Sequence, residues 1–122
     1  MRTFKRCGLL VGVLVVAASP VLAHHSHAMF DHSKDITLTG TVTSLEFVNP
    51  HASLYIDVKN EKGETVNYWF EMSNVPNMVT RGIGKTTFKY GDTVTVKFHP
   101  LKDGRPGGNY VSVTTAQGKF YE

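Results

Sequence analysis

Six histidines are the residues of this sequence best suited to chemistry, and four of them fall within residues 24–32. The full set is His24, His25, His27, His32, His51 and His99. Imidazole is the commonest protein ligand for copper and zinc. The sequence therefore predicts a divalent metal site, with Cu or Zn as the ion, and its candidate ligands are His24, His25, His27 and His51.

The segment before these histidines predicts how they are presented. Residues 1–23 have a basic start, an apolar run over residues 9–18 and a small residue, Ala23, at the end. This three-part pattern is typical of a secretory signal peptide. A membrane-spanning helix needs roughly 20 apolar residues, about twice the length of this run. We expect cleavage after Ala23, a periplasmic or secreted protein, and no stable membrane anchor after cleavage.

Cleavage after Ala23 makes His24 the first residue of the mature chain. Its α-amine and its ring nitrogen can then chelate one ion, and a third nitrogen from His51 or another histidine completes a T-shaped copper site, a histidine brace. The alternative is a polar leader that merely tolerates histidine, because N-terminal segments are commonly disordered unless they are tied down. Asp31 and His32 could join such a metal site, but Phe30 and Asp31 are equally suited to docking the leader on the domain.

A second candidate site follows from a predicted hairpin, in which residues 51–60 and 64–72 alternate apolar and polar side chains around a turn that contains Gly63. Its register pairs Tyr55 with Trp69 on the face directed away from the core. With Ser53 and Glu71 beside them, these aromatic residues suit stacking on a small polar or sugar-like ligand. The alternative is that residues 73–84 or the leader simply cover Trp69.

The elements that position these residues are mostly strands, because apolar residues recur at every second position. Five strands are predicted, over residues 35–49, 51–60, 64–72, 93–99 and 109–115, with one short helix within residues 73–84. This order is typical of an all-β, OB-like barrel. A small open β-sandwich is the alternative. In the first strand the apolar residues stand at even-numbered positions before Ser44 and at odd-numbered positions after it, which predicts a β-bulge.

The domain organisation that follows is a signal peptide (residues 1–23), a histidine-rich leader (residues 24–34) and a single barrel domain (residues 35–122). Without the signal peptide the chain has equal numbers of acidic and basic residues. It therefore gives no support for nucleic-acid binding, which needs a basic patch. The one cysteine, Cys7, lies in the signal peptide, so the mature chain has no thiol nucleophile and forms no disulfide.

Several short motifs carry a resemblance to a known kind of protein: His24-His25-Ser26, Asn49-Pro50-His51, Arg81-Gly82 and Lys89-Tyr90-Gly91-Asp92. Over residues 24–122 the chain resembles a family of small, uncharacterised exported bacterial proteins. The resemblance implies export and a compact β domain, and it supplies no activity.

The favoured hypothesis is an exported binding module whose ligand is a metal ion or a small polar molecule. The rival hypothesis is a structural or interaction module that docks another envelope protein. A copper-dependent redox enzyme ranks third. Asp57 and Glu71 share a predicted face, but their spacing does not mark an acid–base pair. We therefore assign no catalytic residue, and the sequence argues weakly against an enzyme.

Overall fold

The computed structural model describes residues 25–122, with side chains from His27 onward. The predicted signal peptide and His24 lie outside the described residues. The elements in chain order are α1 (His25–Ala28), β1 (Ile36–Glu46), β2 (Ser53–Lys59), β3 (Thr65–Glu71), α2 (Val75–Thr80), β4 (Thr93–Pro100), β5 (Gly107–Thr115) and β6 (Phe120–Tyr121). In this part of the chain, no helix has the length and apolar character needed to cross a membrane.

The strands close into a barrel. The sheet order is β3-β2-β1-β4-β5-β6, with antiparallel neighbours, and a parallel pairing of β3 with β5 joins the two sides. The result is a five-stranded mixed barrel with one short helix between its third and fourth strands. The predicted OB-like fold is confirmed, and the open sandwich is not formed. The two-residue strand β6 was not predicted; it extends β5 at the edge of the sheet.

Strand β1 is long enough to pair on both sides of the barrel. Its first half, residues 36–41, pairs with β4, and residues 41–46 pair with β2. The register shifts between Val42 and Ser44, at the predicted bulge. At Gly40, a Cβ atom would lie 2.4 Å from the carbonyl oxygen of Asp57, so only glycine lets the two strands approach this closely.

The hairpin of β2 and β3 has the predicted register, in which Tyr55 pairs with Trp69 and Leu54 pairs with Phe70. The Asn60 N–H donates to the Glu64 carbonyl at 2.9 Å, and Gly63 in the turn has a φ of 76°. Alternation then places Leu54 and Phe70, both 0% exposed, in the core.

Helix α2 and the segment after it close one end of the barrel. The Asn74 side chain caps the helix by accepting from the Asn77 N–H at 2.9 Å. Met78, Ile83 and Phe88 are buried in the same core cluster as the strands. Burial of these side chains is what holds so short a helix in place, because helices of this length are unstable alone.

The leader is tied to the barrel at its middle. Phe30 forms a bridge to Leu101 and is 2% exposed. The Asp31 N–H donates to the Pro100 carbonyl at 2.8 Å, and the Lys102 N–H donates to the Met29 carbonyl at 2.9 Å. Residues 29–31 therefore hold His27 and His32 close to the barrel surface.

Candidate functional site

Three segments singled out by the sequence meet at one pocket. His27 of the leader, His51 of the Asn-Pro-His corner and Glu71 at the end of β3 line a cavity of about 270 Å³. We call it the polar pocket, and its other lining residues are Met72, Ser73, Arg81, Asn109 and Tyr110.

The imidazole of His51 is oriented by groups on the neighbouring strand. Its Nδ1 atom lies 3.2 Å from the carbonyl oxygen of Met72 and 3.6 Å from Oε1 of Glu71. Because a carbonyl oxygen only accepts hydrogen bonds, Nδ1 carries the proton and Nε2 keeps its lone pair in the neutral ring. The Asn49 side chain accepts from the Val75 N–H at 2.9 Å, which links the corner before His51 to the start of α2.

Glu71 brings a negative charge to the pocket. Its side chain is only 11% exposed, and a buried carboxylate is costly unless a donor or a positive charge is close. His51 is one such neighbour. Arg81 lines the same pocket, and its Nη1 donates to the Tyr110 hydroxyl at 2.9 Å. The pocket therefore combines one carboxylate, one guanidinium and two imidazoles.

His27 also begins a row of three imidazoles. Its ring centroid lies 5.6 Å from that of His32, which in turn lies 4.8 Å from that of His99. The His99 Nδ1 donates to the Lys34 carbonyl at 2.9 Å and lies 3.1 Å from Oδ1 of Asp35. Among the side chains of residues 27–122, no group of three or more His, Cys, Asp or Glu is arranged to hold a metal ion.

The Tyr55 and Trp69 pair lies on the outer face of the hairpin, as its register requires. The Trp69 Nε1 donates to the Ser53 hydroxyl at 3.0 Å, and the Trp69 ring lies 6.3 Å from the ring of Phe30. The Tyr55 hydroxyl donates to Oε2 of Glu46 at 3.4 Å. Burial, and secondly the charge of Glu46, raise the pKa of Tyr55. The leader therefore packs on Trp69 through Phe30. This contact leaves less of the Trp69 ring free to stack on a ligand.

A comparison with protein-family models finds one match, over residues 12–110, to a family of unknown function, DUF6152. The chain belongs to the DUF6152 family. No curated protein and no solved structure matches it significantly. The family match covers His27, His51, Glu71 and Arg81, the charged and imidazole groups that line the polar pocket.

Sequence reasoning missed Arg81, Asn109 and Tyr110 as members of this pocket. Asn109 and Tyr110 come from β5, and Arg81 follows the end of α2. The parallel pairing of β3 with β5 sets Asn109 opposite Glu71, and the Asn109 Nδ2 donates to the Glu71 carbonyl at 3.3 Å. Arg81 is linked to the same strand through its hydrogen bond to the Tyr110 hydroxyl. The one available signal in the DUF6152 chain was the Arg81-Gly82 motif, which carried part of the resemblance.

Proposed function

We propose that this DUF6152 chain is an exported binding module that captures Cu(II) or Zn(II) at the polar pocket. His51 and His27 supply nitrogen donors from the barrel and the leader, and His24 and His25 supply the remaining ones. The observation that carries the proposal is the orientation of His51 in a pocket that His27 also lines.

Histidines that bind metals almost always donate their other ring N–H to a carboxylate or a backbone carbonyl, which fixes the tautomer and raises the basicity of the ligating nitrogen. His51 has both kinds of partner at Nδ1, the Met72 carbonyl and the Glu71 carboxylate. Its Nε2 is therefore prepared for a metal. The side chain is 45% exposed, so an ion reaches it from solvent.

Covalent geometry supports the contribution of His24. An extended chain spans at most ~10 Å over three residues, so the Cα atom of His24 stays within that distance of the Cα atom of His27. Cleavage after Ala23, which the signal-peptide pattern predicts, makes the α-amine of His24 available. Two described imidazoles and the N-terminal nitrogens then supply the three or four donors that copper and zinc require.

The charges of the pocket make the proposal testable. The Glu71 carboxylate attracts a cation, whereas the guanidinium of Arg81 opposes it. Replacing Arg81 with glutamine should therefore strengthen metal binding severalfold. A small carboxylate ligand, the second candidate because Arg81 and Asn109 offer donors to an anion, should instead bind Arg81→Gln more weakly than wild type.

The decisive experiment is a metal titration of protein secreted with its own signal peptide, using a competing chelator for Cu(II) and Zn(II). His51→Ala should lower the affinity at least tenfold. His99→Ala is the matched control, because its Nδ1 also faces a carbonyl and a carboxylate and it does not line the polar pocket. Equal affinities for wild type and His51→Ala would refute the proposal.

A further inference from the structure

The two ends of the barrel differ in what fills them. At one end, Met78, Ile83 and Phe88 of α2 and the following segment are buried in the core. At the other end, where β1 and β3 begin and β2 and β4 finish, the structure has a cavity of about 540 Å³. We call this cavity the apolar pocket.

Aliphatic and aromatic side chains dominate its lining. They include Ile36, Leu38, Val66, Tyr68, Phe98 and Leu101. The rings of Tyr68 and Phe98 meet edge to face at 6.2 Å, and Phe70 packs behind Phe98 at 4.8 Å. Tyr68 and Phe98 therefore form a fixed aromatic wall of the pocket, because the buried ring of Phe70 packs against both.

One charged side chain, Arg105, stands among the lining residues. Its Nε donates to Oδ2 of Asp103 at 2.8 Å, and its backbone N–H donates to Oδ1 of the same carboxylate at 3.0 Å. The backbone hydrogen bond, followed by the side-chain hydrogen bond, lowers the pKa of Asp103. The side-chain hydrogen bond uses the Nε edge of the guanidinium, which leaves its Nη groups as donors for a ligand.

We propose that the apolar pocket binds a small apolar anion, a molecule with an aromatic or aliphatic body and one carboxylate or sulfonate group. Its body lies against Tyr68 and Phe98, and its anionic group pairs with Arg105. The cavity volume falls within the range of about 300–1,000 Å³ found for small-molecule sites, which are mostly apolar with a few polar groups that fix orientation.

This site is independent of the proposed metal site. The two pockets have no lining residue in common. The variant His51→Ala, which should lose metal affinity, should therefore bind the apolar anion as wild type does. Either proposal can fail without the other.

The test uses 1-anilinonaphthalene-8-sulfonate, whose fluorescence rises on transfer to an apolar site. The full secreted chain should bind it saturably and one to one well below the unfolding temperature, and decanoate should displace it. Arg105→Gln should weaken binding about fivefold through loss of one charged hydrogen-bonding partner. Ile36→Glu should weaken it at least tenfold, because it places a negative charge at the rim, where Ile36 is 38% exposed.

Val48→Glu is the matched control, since Val48 is 55% exposed and does not line the apolar pocket. It should bind the probe as wild type does. The Arg105 side chain is 63% exposed, so Arg105→Gln remains informative if Ile36→Glu fails to fold. Absence of saturable binding by wild type, or unchanged affinity in Arg105→Gln, would overturn the proposal.

Discussion

The Nδ1 atom of His51 lies 3.6 Å from Oε1 of Glu71, although the two residues are twenty positions apart in the chain. The hairpin register produces this proximity by pairing Ser53, two residues after His51, with Glu71. The Met72 N–H also donates to the Ala52 carbonyl at 2.8 Å, just beyond the paired strands. The imidazole and the carboxylate are therefore positioned by the sheet itself.

Glu71→Gln should weaken metal binding at the polar pocket by about tenfold, the low end of the effect seen when an outer partner of a metal ligand is removed. The substitution keeps the shape of the side chain and removes its negative charge. A chelator-competition titration with Cu(II) or Zn(II) measures the change. Asp35→Asn, which removes the carboxylate beside His99, is the control and should leave the affinity unchanged. Equal losses in both variants would indicate a general charge effect.

Phe30→Ala should release the leader from the barrel. Phe30 is 2% exposed, packs against Trp69 and bridges to Leu101, and removing a buried phenylalanine side chain costs about 3 kcal/mol or more in free energy of unfolding. Trp69 is the one tryptophan of the chain, so its fluorescence should shift to the red as its ring gains solvent. Phe120→Ala, at a residue that is 56% exposed, should change neither the emission nor the stability.

Gly40→Ala should destabilise the barrel by about 1–3 kcal/mol, the cost of forcing extra atoms into a packed site. The added Cβ would lie 2.4 Å from the Asp57 carbonyl oxygen and 3.0 Å from Cγ2 of Val58. Urea unfolding measures the loss. Gly84→Ala is the control, because its Cβ would meet no atom nearer than 3.8 Å. A Gly40→Ala variant as stable as wild type would show that β1 and β2 separate easily there.

The fold was predictable because its signals are local. Alternation fixed the faces of β2 and β3, the Gly63 turn fixed their register, and the parity change after Ser44 marked the bulge of β1. Strand β6 was not predicted because a strand of two residues, Phe120 and Tyr121, is too short to show the alternation of apolar and polar side chains.

The candidate site was only partly predictable, because it depends on contacts between distant segments. His27, His51 and Glu71 were named from residue type and register, but their meeting at one pocket requires the leader to dock through Phe30. Asn109 reaches the pocket through the barrel closure, and Arg81 reaches it from the end of α2. The closing pair of β3 with β5 joins residues nearly forty positions apart, and no local pattern specifies that register.

Tyr55 should ionise at a pH above its ordinary value of 10.0, because burial and the charge of Glu46 raise its pKa. The folded chain then holds this proton more tightly than the unfolded chain, so Tyr55 leaves stability unchanged below about pH 10 and lowers it as pH rises through the folded pKa. The absorbance of tyrosinate, taken as the difference between wild type and Tyr55→Phe, measures this titration.

Glu46→Gln should lower the pKa of Tyr55 but keep it above 10.0, because burial is the larger cause. Tyr90→Phe, at a residue that is 84% exposed, is the control for loss of a tyrosine. If Tyr55 titrated at the same pH in Glu46→Gln as in wild type, the Glu46 carboxylate would not act on the Tyr55 hydroxyl in solution.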